Sequence, residues 1–292
     1  MLQAQLTKES GGLVEAAIAD VAQIATLPEV TVRIIRIVED PKSTARDLHE
    51  VIRNDPALST RILKVVNSAF YGLPGQISSI DRAIVLLGLS AVKNISIAAS
   101  MTHLFSGGTA IEGFSGPDVW RHSICMAVAA RLLSSAQSRP AVEESFLAGL
   151  IADLGLLVER QVFTKKLAEV VARMQTEAGD MCQLEQEIIG ADHQAFGMAL
   201  AAKWRFPAIL CTTVGYHHKP MDLAEVNKEL PALVHIGDIL SCRAEVGFCP
   251  MPADTPVTPE LLETVKLNED QIEEVFAELP EQFSMAESIF SE

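Results

Sequence analysis

Five of the seven histidines, His122, His193, His217, His218 and His235, fall after residue 117. The same stretch holds two carboxylates in strongly apolar surroundings, Asp153 in LAGLIADLGLLV and Asp238 in LVHIGDIL. Burying an unpaired charge costs several kcal/mol, so each aspartate needs a partner. Imidazole nitrogens and carboxylate oxygens converging from several helices meet that need by binding a metal in a bundle core. Taken singly, the residues admit simpler readings. A lone histidine is most often a surface or hydrogen-bonded core residue. Asp153 can cap a neighbouring helix or pair with an arginine, and His217-His218 at a helix C-terminus suits the macrodipole. Cys125 stands three residues after His122, nearly one turn on, and reads as core packing because no polar orienter is in reach. No G-x-S-x-G elbow, G-x-x-x-x-G-K-[ST] phosphate loop or G-x-G-x-x-G is present.

Rigid elements must hold these groups, and helical periodicity dominates the chain. Ala16 to Ile24 predicts a first amphipathic helix, stopped by Leu27-Pro28. Val30 to Val38 predicts a second, ending at Asp40-Pro41 because the residue before proline is pushed out of the helical region. Ser43-Thr44 caps a third, and Asp55-Pro56 starts a fourth with proline at its first position. Ser79 to Gly88 and Ser90 to Phe105 follow. Residues 106–117, with four glycines and a proline, form a loop and a candidate subdomain boundary. Beyond it, Asp118 is expected to cap a helix through His122 to Leu133, and Glu143 to Val158 a more buried one. Helices are also predicted at Lys165 to Glu177, Cys182 to Ile189, Asp192 to Trp204, Pro207 to His217-His218 and Pro231 to Val246. Residues 247–258 read as a linker and 259–292 as two short acidic helices. The fold class is all-α: a helical N-terminal lobe packed on a helical bundle, with a short helical C-terminal tail.

Composition bounds the function. Lys and Arg number 23 against 38 Asp and Glu, a net charge of −15. Duplex binding rests on basic groups neutralising phosphates, so direct nucleic-acid binding is not expected. Aromatics at 5% supply no base-stacking platform. Five cysteines without a CxxC pair suit reduced thiols in a cytosol. No signal peptide is apparent, and the strongest uncharged apolar run, residues 83–92, is about half a membrane span. A cytoplasmic protein without membrane contact is expected.

Several segments together carry a family resemblance: LPEVTVRIIRIVEDP, IRNDPALSTRILKVVNSAFYGLPGQISSIDRAIVLLGLSAVKNI, VWRHSICMAVAARLL, SFLAGLIADLGLLV and GADHQAFGMALAAKWRFPAILCTTVGYHHKP. From about Leu27 to Asp238 the chain resembles the HDOD family, a signalling relative of the HD and HD-GYP metal-dependent phosphohydrolases. The resemblance implies an N-terminal helix over 1–26 and an HDOD domain over 27–246. That domain would comprise a lobe at 27–105 and an HD-like core at 118–246, followed by a linker and acidic tail over 247–292. It also implies a ligand set. The first histidine of the HD signature falls on His122 and the distal aspartate on Asp238. The extra histidines of the two-metal branch fall on His193, His217 and His218. The His-Asp doublet falls on Ala152-Asp153, so one imidazole is gone, and the lysine after it in HD-GYP enzymes is Leu156 here. No GYP motif follows.

The expected protein is therefore a bacterial signal-transduction module that is non-catalytic and acts through regulatory protein partners. Its degenerate pocket, built from His122, Asp153, His193, His217, His218 and Asp238, would hold one divalent metal: iron, manganese, nickel or zinc. The alternative is a metal-dependent phosphohydrolase acting on a nucleotide or cyclic dinucleotide, with a nucleotide as its ligand. A metal- or redox-responsive sensor is a third reading. In the N-terminal half, Asn67, Tyr71 and Arg82 are expected to orient the loop after NSAFYG or to mark a binding surface. The tail is expected to dock on the core, mediate dimerisation or cover a groove.

Overall fold

The computed structural model describes residues 8–21, 29–39, 42–105, 109–137, 142–176 and 180–290. The predicted stops at Leu27-Pro28 and Asp40-Pro41 lie outside these residues. No strand occurs among the described residues; the single β-bridge, Ile111 to Phe114, closes a turn in the Gly-rich loop. No described helix is long and apolar enough to cross a membrane.

The N-terminal helices are α1 (Lys8–Asp20), α2 (Glu29–Glu39), α3 (Ala45–Arg53), α4 (Pro56–Val66), α5 (Ile80–Leu87) and α6 (Leu89–Met101). Their caps follow the sequence. Thr44 and Asp47 form a capping box on α3, Asp55 accepts from the Leu58 N–H ahead of α4, and Ser79 accepts from Arg82 ahead of α5. The apolar stripes Leu48, Ile52, Leu58, Ile62 and Ile95 meet in the interior. Asn67 orients the following turn: its amide donates to the Ile77 carbonyl at 2.7 Å and accepts from the Ile77 N–H at 2.6 Å. Tyr71 reaches into the second half of the chain, donating to Glu143 at 2.8 Å, while Arg131 stacks on Phe70 at 4.2 Å.

One expectation fails at the first helix. It starts at Lys8, so Gly11 and Gly12 lie inside it. Gly12 is exposed, and a Cβ there would meet nothing within 4 Å. Gly12→Ala is accordingly expected to stabilise the fold by roughly 0.5–1 kcal/mol, because alanine has less backbone entropy to lose. Thermal unfolding should show a higher midpoint.

The second half is built around α7 (Gly116–Ala136), which packs against α8 (Val142–Ile151), α14 (Glu229–Arg243) and α16 (Glu269–Phe290). Between them run α9 (Leu154–Val162), α10 (Thr164–Thr176), α11 (Met181–Ile188), α12 (His193–Lys203), α13 (Ala208–Tyr216) and, in the tail, α15 (Pro259–Val265). α7 is buried without a break from Ser123 to Ala130, as its run of small and apolar residues requires. Its cap is Ser115 rather than Asp118: the Ser115 hydroxyl accepts from the Asp118 N–H and donates to the Asp118 carboxylate, putting Asp118 in the first turn.

Two further differences matter. The expected helix Glu143 to Val158 is broken at Ala152-Asp153 into α8 and α9. Apolar residues on all sides had concealed the break, since a helix buried all round has no periodic face. In the tail, α16 is a 22-residue helix rather than a short one, and it carries Pro280 inside it. It docks on the core. The Trp120 indole donates to the Phe290 carbonyl at 2.7 Å, and the Phe290 ring packs 5.6 Å from that of Phe146. α6 also packs on α8, so the N-terminal helices and the bundle share one apolar interior.

Candidate metal centre

The break between α8 and α9 is what sets up the site. Asp153 sits at the N-cap position of α9 with φ −90° and ψ 16°. An aspartate there ordinarily accepts from the N–H groups of the first turn. Asp153 does not: it makes no capping bond, and its carboxylate turns into the interior, where the residue is 1% exposed. Neither oxygen has a hydrogen-bond partner.

Three helices aim imidazoles at it. His193 is the first residue of α12, which Asp192 caps by accepting from the Ala195 N–H at 2.9 Å. His217 is the C-cap residue of α13 and His218 follows it. His217 Nε2 lies 3.5 Å and His193 Nε2 3.8 Å from Asp153 Oδ1, and His122 Nε2 lies 3.8 Å from Oδ2. The other ring nitrogens are committed elsewhere. His193 Nδ1 donates to Glu185 at 2.8 Å, and His217 Nδ1 donates to the Val214 carbonyl at 2.9 Å. Such outer partners fix the tautomer and leave Nε2 as the ligating atom. His218 Nε2 faces His193 Nε2 at 3.0 Å, and its backbone N–H donates to Gln194 Oε1 at 2.9 Å.

One ligand atom from each of Asp153, His193, His217 and His218 therefore lies within 4.8 Å of the others. Opposed imidazole nitrogens need a shared proton or cation between them, and an unpartnered buried carboxylate needs a positive charge. One carboxylate and three imidazoles, with His217 Nε2 also unpartnered, fit a divalent transition metal.

Of the six residues expected from the sequence, these four converge. The other two, His122 and Asp238, form a pair alongside: His122 Nε2 contacts Asp238 Oδ1 at 2.9 Å, and Asp238 Oδ2 lies 3.3 Å from His218 Nδ1. His235, three residues before Asp238 on α14, groups with Asp238 and His218. Its one-turn spacing from Asp238 was a usable signal. Glu185 carried none, because only the return of the chain at Gly190 brings α11 against His193. Cys125 is buried in the core as expected, and Leu156 is fully buried.

Charge states follow from the packing. Burial raises the Asp153 carboxyl, but close approach by His217 and the charges of His122, His217 and His193 outweigh it and hold it at about 2. Burial likewise opposes charge on His193, yet the Glu185 carboxylate prevails and lifts it to about 9. His218, buried among other imidazoles, is pushed well below the usual histidine range. The Asp153 shift has a measurable sign in metal-free protein. A depressed carboxylate contributes stability above its unfolded value of about 3.9 and loses it as pH falls through the folded value. The stability advantage of metal-free wild type over Asp153→Asn is therefore expected to shrink as pH falls from about 5 toward 2. Chemical unfolding at a series of pH values measures it.

Comparison with known proteins gives a consistent picture. The family model of the HDOD domain matches residues 24–220. An uncharacterized protein of Treponema pallidum (strain Nichols) is 28% identical over 242 residues, covering 80% of this chain and 44% of the relative. The chain thus spans under half the length of that curated relative. Among solved structures, an HDOD domain protein of unknown function from Geobacter sulfurreducens superposes with a TM-score of 0.80 at 22% identity, over 95% of this chain and 97% of that one. A Marinobacter aquaeolei VT8 protein provisionally described as a signal transduction protein gives 0.78 at 22% identity, over 99% and 68%. A provisionally described phosphohydrolase of Shewanella amazonensis SB2B gives 0.72 at 22% identity, over 94% and 98%. At this identity the structural likenesses speak for the all-α fold.

Proposed function

The chain belongs to the HDOD domain family, and from that premise we propose that it is a non-catalytic cytoplasmic signalling module acting through contacts with regulatory proteins, its His/Asp cluster holding one divalent cation. The observation that carries the metal reading is the Asp153 carboxylate, buried with both oxygens unpartnered among the Nε2 atoms of His193, His217 and His122. Asp153, His193, His217 and His218 would hold the ion. When bound, it would take over from the imidazolium charges as the carboxylate's counter-charge and tie α9, α12 and α13 together.

Two features support a role without catalysis. The site is closed: none of its four ligand side chains is more than 7% exposed, which leaves no approach for a phosphodiester. Position 156 is a buried leucine, so no cation is supplied there to hold a phosphate. The competing reading, a metal-dependent phosphohydrolase, draws on the retained His122–Asp238 pair. It requires an opening of the site and a two-metal clamp of about 3.5–4 Å, with one imidazole fewer at Ala152.

The test is elemental analysis of protein purified without chelator or histidine tag, followed by hydrolysis assays on a cyclic dinucleotide and an aryl phosphodiester. Near-stoichiometric iron, manganese, nickel or zinc without turnover is the expected result. Turnover that disappears in Asp153→Ala would overturn the non-catalytic role. Folded, metal-free protein would overturn the metal site.

A further inference from the structure

Cys242 and Cys249 lie on either side of the turn that leaves α14, and the fold returns the second sulfur to the first. Their sulfurs and one ring nitrogen of His122 all lie within 4.8 Å of one another. The turn is held in place: the Phe248 N–H donates to the Asp118 carbonyl at 3.1 Å, and the Phe248 ring packs 4.9 Å from that of Phe114. Gly247 turns the chain at φ 68°, where a Cβ would strike the Asp118 carbonyl oxygen.

The two thiols differ in access. Cys242 is buried at 1% exposure, whereas Cys249 is half-buried and lines a surface cavity of about 280 Å³ beside Gly113, Asp118 and Gln175. Cys125, Cys182 and Cys211 are all buried. An accessible sulfur that meets an oxidant, with a resolving sulfur directly behind it, is the arrangement of a dithiol–disulfide pair. The sulfurs have under about 3 Å to close to reach a bond of about 2.05 Å.

We propose that Cys249 and Cys242 are a modification site: a thiol pair that hydrogen peroxide or an organic hydroperoxide converts reversibly to a disulfide. In the first step the Cys249 sulfur attacks one peroxide oxygen and the O–O bond breaks. Cys249 becomes a sulfenic acid, and the departing hydroxide, or the alkoxide of an organic hydroperoxide, takes the Cys249 thiol proton and leaves as water or alcohol. In the second step the Cys242 sulfur attacks the sulfenic sulfur, the S–O bond breaks, and the expelled hydroxide takes the Cys242 proton. Two thiols are oxidised by two electrons in all, and one hydrogen peroxide is reduced to two waters, or one organic hydroperoxide to an alcohol and a water. A cytosolic thiol pool reverses the reaction. The consequence inside the fold is local. Cys242 Sγ donates to Asp238 Oδ1 at 3.6 Å, so the disulfide withdraws a donor from the carboxylate that also contacts His122.

The experiment uses the full chain and does not depend on metal content. Trypsin cuts after Arg243, so Cys242 falls in peptide 229–243 and Cys249 in peptide 244–266. After hydrogen peroxide, the two peptides are expected to appear joined, and dithiothreitol should separate them. The thiol titre in denaturant should fall from five to three per chain (5 − 2). Cys249→Ser and Cys242→Ser should each abolish the joined species. Cys242→Ser should also accumulate a sulfenic acid on Cys249 that a 1,3-dione probe labels more strongly than in wild type. Cys249→Ser, at the half-buried position, keeps the test available if Cys242→Ser fails to fold. Equal alkylation of both thiols before and after peroxide in folded wild-type protein would overturn the proposal. Purified protein whose zinc is released by Cys249→Ser, and whose peptides never join, would overturn it in favour of a soft-cation site.

Discussion

Asp153→Ala is expected to lower metal retention at least ~10-fold while leaving the helices in place, since even outer-shell partners of a metal site are worth 10–100-fold in affinity. The effect is large because Asp153 is the only carboxylate among the four converging ligands and supplies the only negative charge of that set. His193 and His218 face each other at 3.0 Å, and His193 and His217 approach Asp153 at 3.8 and 3.5 Å, so none of the other three ligands can balance a dication. Asp153→Asn tests the charge apart from the shape. It keeps one oxygen in position, so it should retain less metal than wild type and more than Asp153→Ala. Glu185→Gln acts through His193 alone, by weakening the carboxylate that orients its ring; a smaller loss within the same range is expected. Elemental analysis after gel filtration, with circular dichroism as the folding check, measures all three. Equal metal content in wild type and Asp153→Ala would remove the ion from this site.

Gly155→Ala is expected to destabilise the protein by about 3 kcal/mol or more, an overpacking cost at the top of the usual range. A Cβ at residue 155 would lie 1.8 Å from the His193 carbonyl oxygen and 2.9 Å from the Gly197 nitrogen. Both obstacles are backbone, so no side chain can rotate out of the way, and α9 and α12 would have to separate. That crossing is what sets His193 opposite Asp153. Metal retention should therefore fall together with stability, in contrast to the selective loss in Asp153→Ala. Denaturant unfolding of the metal-free forms isolates the packing effect. A stability within 1 kcal/mol of wild type would mean that the two helices are not seated this closely in solution, since a backbone clash of this size exceeds the ~0.5 kcal/mol of an ordinary surface change.

Much of the fold is local and was legible for that reason. Caps at Thr44, Asp55, Ser79 and Asp192 mark helix starts within the chain itself, because the capping side chain and the N–H group it serves are three residues apart. Apolar periodicity placed α2 and α3 because each buries one face only. Where a helix is buried all round, periodicity disappears, and nothing local marks the break at Ala152-Asp153. The length of α16 was also hidden, since Pro280 is a local stop signal that contacts with α7 override.

Composition and periodicity make the chain all-α, with a net charge of −15 and with histidines and aspartates of ligand type on several helices. Resemblance carried over from its quoted motifs supplied the six candidate positions. How they divide depends on the packing of the folded chain. Asp153, His193, His217 and His218 share one closed centre, His122 pairs with Asp238 beside it, and Cys242 meets Cys249 behind a turn. The physical reason is that ligand geometry depends on where helices cross, and those crossings are set by close contacts such as Gly155 against His193, between residues 38 positions apart (193 − 155). Spacing along one helix records which residues share its face; it holds no information about which other helix that face will meet.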